Sequence, residues 1–407
     1  MRVERLGGPG PAAVAGQLRA LAGTGTSVAD DVREIVQAVR DGGDAALQDY
    51  VERFDATGGA PVRVDGAELR AALAELDGDV RAGLDVAIAN VGAVARAGVG
   101  EDREVVLPQG HTVRLREVPV RRAAIYAPGG RNPYPSTVVM GAVTARAAGV
   151  DEVVVCAPGA HPVMLAACAL CGVDEVLRMG GAHAVAAMAY GTDTIRRADV
   201  IAGPGGLWVQ EAKRQVSGDV GIDGFFGPSD VLVLAGRGAE PDLIAIDLLA
   251  QAEHGAGTVA ALVTADAALG DAVAARLAAA PDGEAAVAVV VTGGIEEALA
   301  VAEAFAPEHL ELVGADAEAL APHVRSAGCL FVGRAGATAF GDYVAGSNHS
   351  LPTGGSARFA SGLSARVFRR RMSEVHIGDA ATQLAAAGAP IARAEGFDVH
   401  ARSMQVR

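Results

Sequence analysis

A few short segments hold the residues best able to do chemistry. Ala306-Pro307-Glu308-His309 sets a carboxylate beside an imidazole, two groups that exchange protons near neutral pH, on a loop where neighbours can face one cleft. In Asp247-Leu-Leu-Ala-Gln251-Ala-Glu253-His254, the residues Gln251 and His254 stand three apart, on one side of a helix's C-terminal end. Gly341-Asp342-Tyr343, Ser347-Asn348-His349 and Glu395-Gly-Phe-Asp398-Val-His400, close to the C-terminal Arg407, complete the set. Two histidines, an aspartate and an amide oxygen would suit a divalent metal of borderline character such as Zn²⁺. With no cysteine among them, such a site would be catalytic rather than structural. Taken singly, each segment has a plainer reading: a solvated helix end, two surface polar residues, an isolated histidine in the tail. Spacing alone does not assemble them.

Other motifs carry less. Cys168-Ala-Leu-Cys171 matches a redox spacing, but both thiols fall late in an Ala-rich helical run, away from the helix N-terminus that lowers a thiol pKa. They read as small core residues. Glycine-rich turns, Pro128-Gly129-Gly130, Gly180-Gly181-Ala182 and Gly203-Pro204-Gly205-Gly206, follow successive strands. None fits the dinucleotide fingerprint, yet together they crowd the strand carboxyl ends of one lobe, where α/β proteins bind ligands.

The elements that must position these residues are legible as periodicity. Val28 to Arg40 and Ala67 to Ala97 are amphipathic and helical. From Val118 onward, short apolar runs alternate with helices. Strands are expected at Ala123–Tyr126, Glu152–Cys156, Glu175–Arg178 and Asp199–Ala202, and again at Asp230–Leu234, Thr258–Thr264, Ala286–Thr292, Leu310–Val313 and Cys329–Val332. The last intervening helix is expected at Ala317–Ser326. This predicts two doubly wound, incomplete Rossmann-like α/β lobes with a helical N-terminal region. The expected division is an N-terminal arm (1–27), a catalytic domain (28–120 with 228–361), a second lobe (121–227) and a C-terminal arm (362–407) with no strand series, of the kind used for dimerisation.

Composition narrows the function classes. The 407 residues carry a formal net charge of −15, and no basic block exceeds Arg369-Arg370-Arg371, so nucleic acid is a poor partner. No apolar run approaches the ~18 residues of a membrane span, and Gly7-Gly8-Pro9-Gly10-Pro11 is no signal core. Four cysteines make no disulfide framework, and the expected setting is the cytoplasm. Lys213 is the only lysine; every other basic residue is arginine. Either a compact ammonium is needed there or the residue persists by chance.

The motifs resemble the histidinol dehydrogenase family over roughly residues 28–407. The resemblance rests on Ile125-Tyr-Ala-Pro-Gly-Gly130 with Tyr134-Pro-Ser-Thr-Val-Val-Met140, on Gly203-Pro-Gly205, and on Glu211-Ala-Lys-Arg-Gln-Val216. It continues in Gly227-Pro-Ser229, the Asp247–His254 and Ala306–Glu311 segments, Gly341–Tyr343, Asn348-His-Ser-Leu-Pro352, Ser361-Gly-Leu-Ser364 and Glu395–His400. It implies oxidation of L-histidinol through L-histidinal to L-histidine with two NAD and one Zn²⁺ per subunit. By matching motif, Gln251, His254, Asp342 and His400 would hold the metal. Glu308 and His309 would be the acid/base pair, His309 taking the alcohol proton and Glu308 activating water. Ser229, His349 and Glu395 would contact substrate together with His309 and the metal ligands. The family's homodimers share sites, so Glu395 and His400 would serve the partner subunit.

Departures concern the cofactor. The family's contacts match Tyr126, His183 and Gly206, where the last two are usually Gln and Asn, and Asp223-Gly-Phe-Phe-Gly227 is unusually bulky. These changes predict weaker or altered NAD binding. They leave open a relative acting on another polar alcohol, and a non-catalytic metal or ligand binder.

Overall fold

The computed structural model describes residues 2–23, 27–55, 57–129 and 132–407. Gly130, one of the turn glycines, lies outside the described residues. The chain begins with strand β1 (Val3–Leu6) and helix α1 (Pro11–Ala20). Helices α2 (Ala29–Phe54), α3 (Gly66–Ala74) and α4 (Gly78–Ala97) follow, then the hairpin strands β2 (Arg103–Val106) and β3 (Thr112–Pro119). The first lobe is β4 (Arg122–Tyr126), α5 (Pro135–Ala147), β5 (Glu152–Cys156), α6 (Pro162–Leu170), β6 (Glu175–Leu177), α7 (Gly181–Tyr190), β7 (Val200–Ala202), α8 (Leu207–Val216) and β8 (Gly221–Ile222). The second is β9 (Asp230–Ala235), α9 (Pro241–Ala252), β10 (Val259–Thr264), α10 (Ala267–Ala279), β11 (Ala286–Val291), α11 (Ile295–Phe305), β12 (His309–Val313), α12 (Ala315–Glu318), β13 (Cys329–Val332) and α13 (Thr338–Tyr343). The tail holds β14 (Arg369–His376), α14 (Ala381–Ala394) and α15 (Asp398–Gln405).

Both lobes are parallel sheets wound in the same sense. The first is ordered β6-β5-β4-β7-β8 and the second β11-β10-β9-β12-β13, with β1 added beyond β11. In each, the first strand is central and the order reverses beside it, the point at which open α/β sheets bind ligands. Every residue of β4, β9, β10 and β12 is buried. That accounts for their near-continuous apolar runs, because a parallel sheet is covered on both faces. The two-lobe α/β expectation stands, with strand ends within about two residues.

Four expectations give way. Residues 1–27 are not an arm: β1 pairs in parallel register with β11, Val3 opposite Val287 through Leu6 opposite Val290. Helix α1 buries Val14, Ala15 and Leu18 in the second lobe's core. A four-residue edge strand half made of Glu4 and Arg5 has too little periodicity to be seen in sequence. Second, the helices of 28–120 do not cover the 228–361 lobe. Helix α2 packs on α7 and α8, α3 on α6, and α4 on α5, so they enclose the first lobe. Third, the tail does contain a strand, β14, antiparallel to β3 along its whole length. No residue of the ribbon is buried and it is held by ion pairs such as Arg371–Glu117 and Arg116–Glu374, so it lacks the apolar alternation that marks a core strand. Fourth, Ala317–Ser326 is not one helix: α12 stops at Glu318, and Pro322 sits in a separate 3₁₀ turn, Ala321–His323.

No helix among the described residues is long and apolar enough to cross a membrane. The integration of the N-terminal segment is measurable. Leu18 is fully buried, so Leu18→Ala should cost about 2–5 kcal/mol in urea unfolding. A cost within about 0.5 kcal/mol would return the segment to a loose arm.

Candidate active site between the two lobes

The site grows from the pairing of β9 with β12. Their parallel register sets His309 opposite Val231, which brings Glu308 beside Asp230 at the heads of the two strands. The pair lock reciprocally. The Glu308 amide donates to Asp230 Oδ1 at 2.7 Å, and the Asp230 amide donates to Glu308 Oε2 at 3.1 Å. Ser229 Oγ also donates to Glu308 Oε2, at 2.5 Å, and itself accepts from Gln251 Nε2 at 2.6 Å. The amide of α9 is thereby wired to the carboxylate before β12. Burial pushes the Glu308 carboxyl well above its ordinary range, and the Asp230 and Asp342 charges push it further. Burial likewise raises Asp230, to about 7.

His309 is nearly enclosed. Its Nδ1 lies 3.2 Å from the Asp230 carbonyl, which can only accept, so Nδ1 carries the proton and Nε2 keeps its lone pair. Nε2 faces Asp342 Oδ1 at 3.7 Å. Burial, with His254 and His349 nearby, pushes the His309 imidazolium down to about 4. A neutral imidazole with a free Nε2 is a base ready at neutral pH.

His254 ends the α9 turn. Its Nδ1 lies 3.0 Å from the Gln251 carbonyl, fixing the tautomer and freeing Nε2, the arrangement seen behind metal-bound histidines. Asp342, on α13, is raised to about 6 by burial, with His254 pulling it back. His349 Nδ1 contacts the Asp342 carbonyl at 3.1 Å, and its Nε2 reaches Thr137 Oγ1 of the first lobe at 3.0 Å. Asn348 Nδ2 similarly donates to the Met140 carbonyl at 3.0 Å. The two lobes therefore meet here: the carboxyl edge of the first sheet faces the amino edge of the second.

Ser229, Gln251, His254, Glu308, His309, Asp342 and His349 are thus gathered, whereas Glu395 and His400 are not. Both are exposed, on a tail whose α14 and α15 pack on each other around Ala389, Ala392 and Ala401. Among the described residues, no three of His, Cys, Asp and Glu come close enough to hold a metal ion. Of the four residues the resemblance assigns to metal, a single chain brings Gln251, His254 and Asp342 to this site and leaves His400 on the exposed tail.

The cofactor-side residues divide. Tyr126 ends β4, and its hydroxyl accepts from the Gly181 amide at 3.0 Å; burial pushes that hydroxyl up to about 12. At Gly206, the cap of α8, a Cβ would meet open space, so a larger side chain would fit there. His183 is turned away: Nε2 sits 2.8 Å from Asp55 Oδ2, and the ring stacks on Tyr50 at 5.9 Å. The buried Asp55 carboxylate thus takes Nε2 of the residue that the resemblance matches to a cofactor contact.

Two residues of the site have no role in the sequence reading. Asp230 is signalled only as a carboxylate at the head of the apolar strand Val231–Ala235. Glu311 is signalled as a carboxylate two residues past His309 on the same strand face. It is 1% exposed, and its Oε1 accepts from both the amide and hydroxyl of Thr338, at 2.8 and 2.6 Å. Glu311 therefore caps α13, whose preceding residue Ala337 offers no side-chain cap, and so helps to aim Asp342.

Comparison with known proteins settles the lineage. A sequence model described as histidinol dehydrogenase matches residues 21–407. The chain belongs to the histidinol dehydrogenase family. A histidinol dehydrogenase of Rhizobium meliloti (strain 1021) is 44% identical, the alignment covering 94% of each chain. One from Parasynechococcus marenigrum (strain WH8102) is 42% identical over 92% of this chain and 89% of the other. The crystal structure of histidinol dehydrogenase from Elizabethkingia anophelis superposes with a TM-score of 0.89 at 28% identity, covering 96% of this chain and 95% of that one. Membership of the histidinol dehydrogenase family makes the chain an enzyme, an oxidoreductase.

Glu311 gives a pH test. Burial first, then the nearby Asp247 charge, raise its carboxyl to about 7, against about 4.3 in an unfolded chain. The folded state therefore binds more protons across that interval, and stability falls as pH rises through it. Glu311→Gln should make the variant gain on wild type between pH 5 and pH 8 in urea unfolding. An unchanged difference would show that the carboxyl is ionised throughout.

Proposed function

We propose that this chain oxidises L-histidinol through L-histidinal to L-histidine, the last two steps of histidine biosynthesis, with two NAD and one Zn²⁺ per subunit. The observation that supports it most is the buried, neutral His309 with its free Nε2 directed at the Gln251–His254–Asp342 group, in a chain whose relatives carry this enzyme's name.

The donors fit zinc. Gln251 commits Nε2 to Ser229 and leaves Oε1 available; His254 commits Nδ1 and leaves Nε2; Asp342 supplies a carboxylate. An N/O set of this kind suits a borderline divalent cation, and His400 from a second copy's tail completes it. When bound, zinc would orient the amine and imidazole of the amino alcohol, and NAD would accept hydride. Tyr126 and the open face at Gly206 lie on the side expected to hold NAD. Ser229, His349 and a second copy's Glu395 are assigned to substrate, and the active form is a homodimer.

His309 Nε2 removes the alcohol proton as hydride leaves the adjacent carbon. Glu308, in its ionised form, then draws a proton from water as it adds to the aldehyde, whose oxygen takes back the proton held by His309. The hydrate so formed gives up the second hydride of the reaction, with His309, neutral again, taking a hydroxyl proton. Exclusion of bulk water by the enclosed strand heads keeps the aldehyde in place between the steps. Four free thiols in the described chain suit a reducing compartment, and we place the enzyme in the cytoplasm.

Purified protein supplied with Zn²⁺, NAD and L-histidinol should produce NADH. No turnover of histidinol alongside turnover of another alcohol would sink the assignment, and zinc and histidinol binding without NAD binding would point to a non-catalytic relative. His309→Asn should keep its zinc and lower the first oxidation about 10²–10⁴-fold; an unchanged rate would remove His309 from its role. Shared sites have their own check. Mixing inactive His309→Asn and His400→Asn proteins should restore part of the activity through mixed dimers with one intact site. No rescue after confirmed subunit exchange would confine each site to one chain.

A further inference from the structure

The only lysine of the chain is fully buried. Lys213 lies on α8 with a side chain of zero exposure, ion-paired to the equally buried Asp223. Its Nζ also donates to the Gly203 carbonyl at 3.0 Å and stands 4.8 Å from the centre of the Phe226 ring. Its three protons thus meet a carboxylate, a carbonyl and an aromatic face. A guanidinium, planar and carrying five donors, would not find that many partners in the same space.

What the pair grips is one residue from both sides. Lys213 holds the carbonyl of Gly203, while Asp223 Oδ2 accepts its amide at 2.6 Å. Gly203 has φ of +121°, and a Cβ there would fall 2.1 Å from the Tyr126 carbonyl, so the turn is seated directly on the end of β4. From Gly203 the chain runs through Pro204 and Gly205 to Gly206 at the head of α8. From Asp223 it crosses to the second lobe. Along that strap, the Phe226 amide donates to Gln210 Oε1 of α8 at 2.8 Å. The Gly227 amide donates to Thr353 Oγ1, and Ser229 donates to Glu308. The strap is thus tied to the first lobe at Asp223 and Phe226 and to the second at Gly227 and Ser229.

We propose that Lys213 is a positioning residue for hydride transfer: paired with Asp223, it joins the Gly203–Gly206 turn to the strap 223–229 and so sets the spacing between the cofactor face and the acid/base residues. This rests on the reading of NAD at Tyr126 and Gly206 given above. The bulky Asp223-Gly-Phe-Phe-Gly227 segment then has a purpose, Phe226 forming the wall against which the ammonium packs.

Lys213→Met alone would strand a buried carboxylate and risk unfolding, so the test uses Lys213→Met combined with Asp223→Asn, beside Lys213→Arg. The asparagine oxygen can still accept from the Gly203 amide. Three measurements on the zinc-loaded protein are needed: hydrogen exchange, NAD affinity by calorimetry, and steady-state kinetics with ordinary and carbon-deuterated histidinol. The double variant should fold, keep its zinc and its KM for histidinol, and exchange faster in 203–206 and 223–229 only. NAD affinity and kcat should each fall about 10- to 100-fold, the scale of a small misplacement of reacting groups, with a larger deuterium effect on kcat. Lys213→Arg should fall between the two. Unchanged exchange and kinetics in folded double variant would overturn the proposal, as would a general loss of stability with normal NAD affinity and kcat, which marks the pair as packing. A wild-type protein that binds NAD but leaves histidinol untouched would fail the functional reading instead, while exchange and NAD affinity would still decide the clamp.

Discussion

The site depends on the reciprocal hold between Asp230 and Glu308 at the heads of two adjacent parallel strands. Each backbone amide donates to the other residue's carboxylate, and the hold exists only because β9 and β12 pair in the register that sets His309 opposite Val231. Two buried acids side by side are costly to ionise, and both are raised accordingly. The surroundings offset that cost with the Ser229 hydroxyl, itself fixed by Gln251. The same strand head presents the Asp230 carbonyl to His309 Nδ1, which decides the tautomer and leaves Nε2 with its lone pair. Base, carboxylate and helix end are therefore consequences of one strand pairing.

The two lobes share a strand order but use opposite edges. On the first, the turns after β4, β6 and β7 lie at carboxyl ends, as open α/β sheets lead one to expect. On the second, Ser229, Glu308 and His309 lie at the amino edge, joined there by the end of α9 and by α13. The facing edges set backbone turns on one wall and titratable side chains on the other. Such a division suits a reaction in which one wall holds a hydride acceptor and the other moves protons. It also makes the separation of the walls a quantity the protein must fix, which is where the strap 223–229 and the buried Lys213–Asp223 pair enter.

Most of this was legible in the sequence, unevenly and for physical reasons. Buried parallel strands and their covering helices announce themselves as apolar runs, so both lobes and the chemistry-bearing loops were in view. Short or polar strands stabilised by pairing with distant chain were not: β1 has Glu4 and Arg5 among its four residues, and the β3–β14 ribbon is held by cross-strand charges. Nor does periodicity say which sheet a helix covers, which is why α2 to α4 were placed with the wrong lobe. Within the site, residue type and motif reached Gln251, His254, Glu308, His309, Asp342 and His349. They missed Asp230 and Glu311, whose roles come from strand register and from an uncapped helix, and gave no sign of the Asp55 carboxylate that holds His183 Nε2.

The central claim is that a second base, Glu308, activates the water between the two oxidations while His309 takes the hydroxyl protons, and product analysis of Glu308→Gln tests it most directly. The glutamine oxygen can still accept from Ser229 and from the Asp230 amide, so the strand heads should stay in place. With His309 intact, the variant is predicted to consume one NAD per histidinol and to yield histidinal, trapped as its semicarbazone. Formation of histidine with two NADH per histidinol at the wild-type rate would contradict the assignment of Glu308 and the two-base account with it.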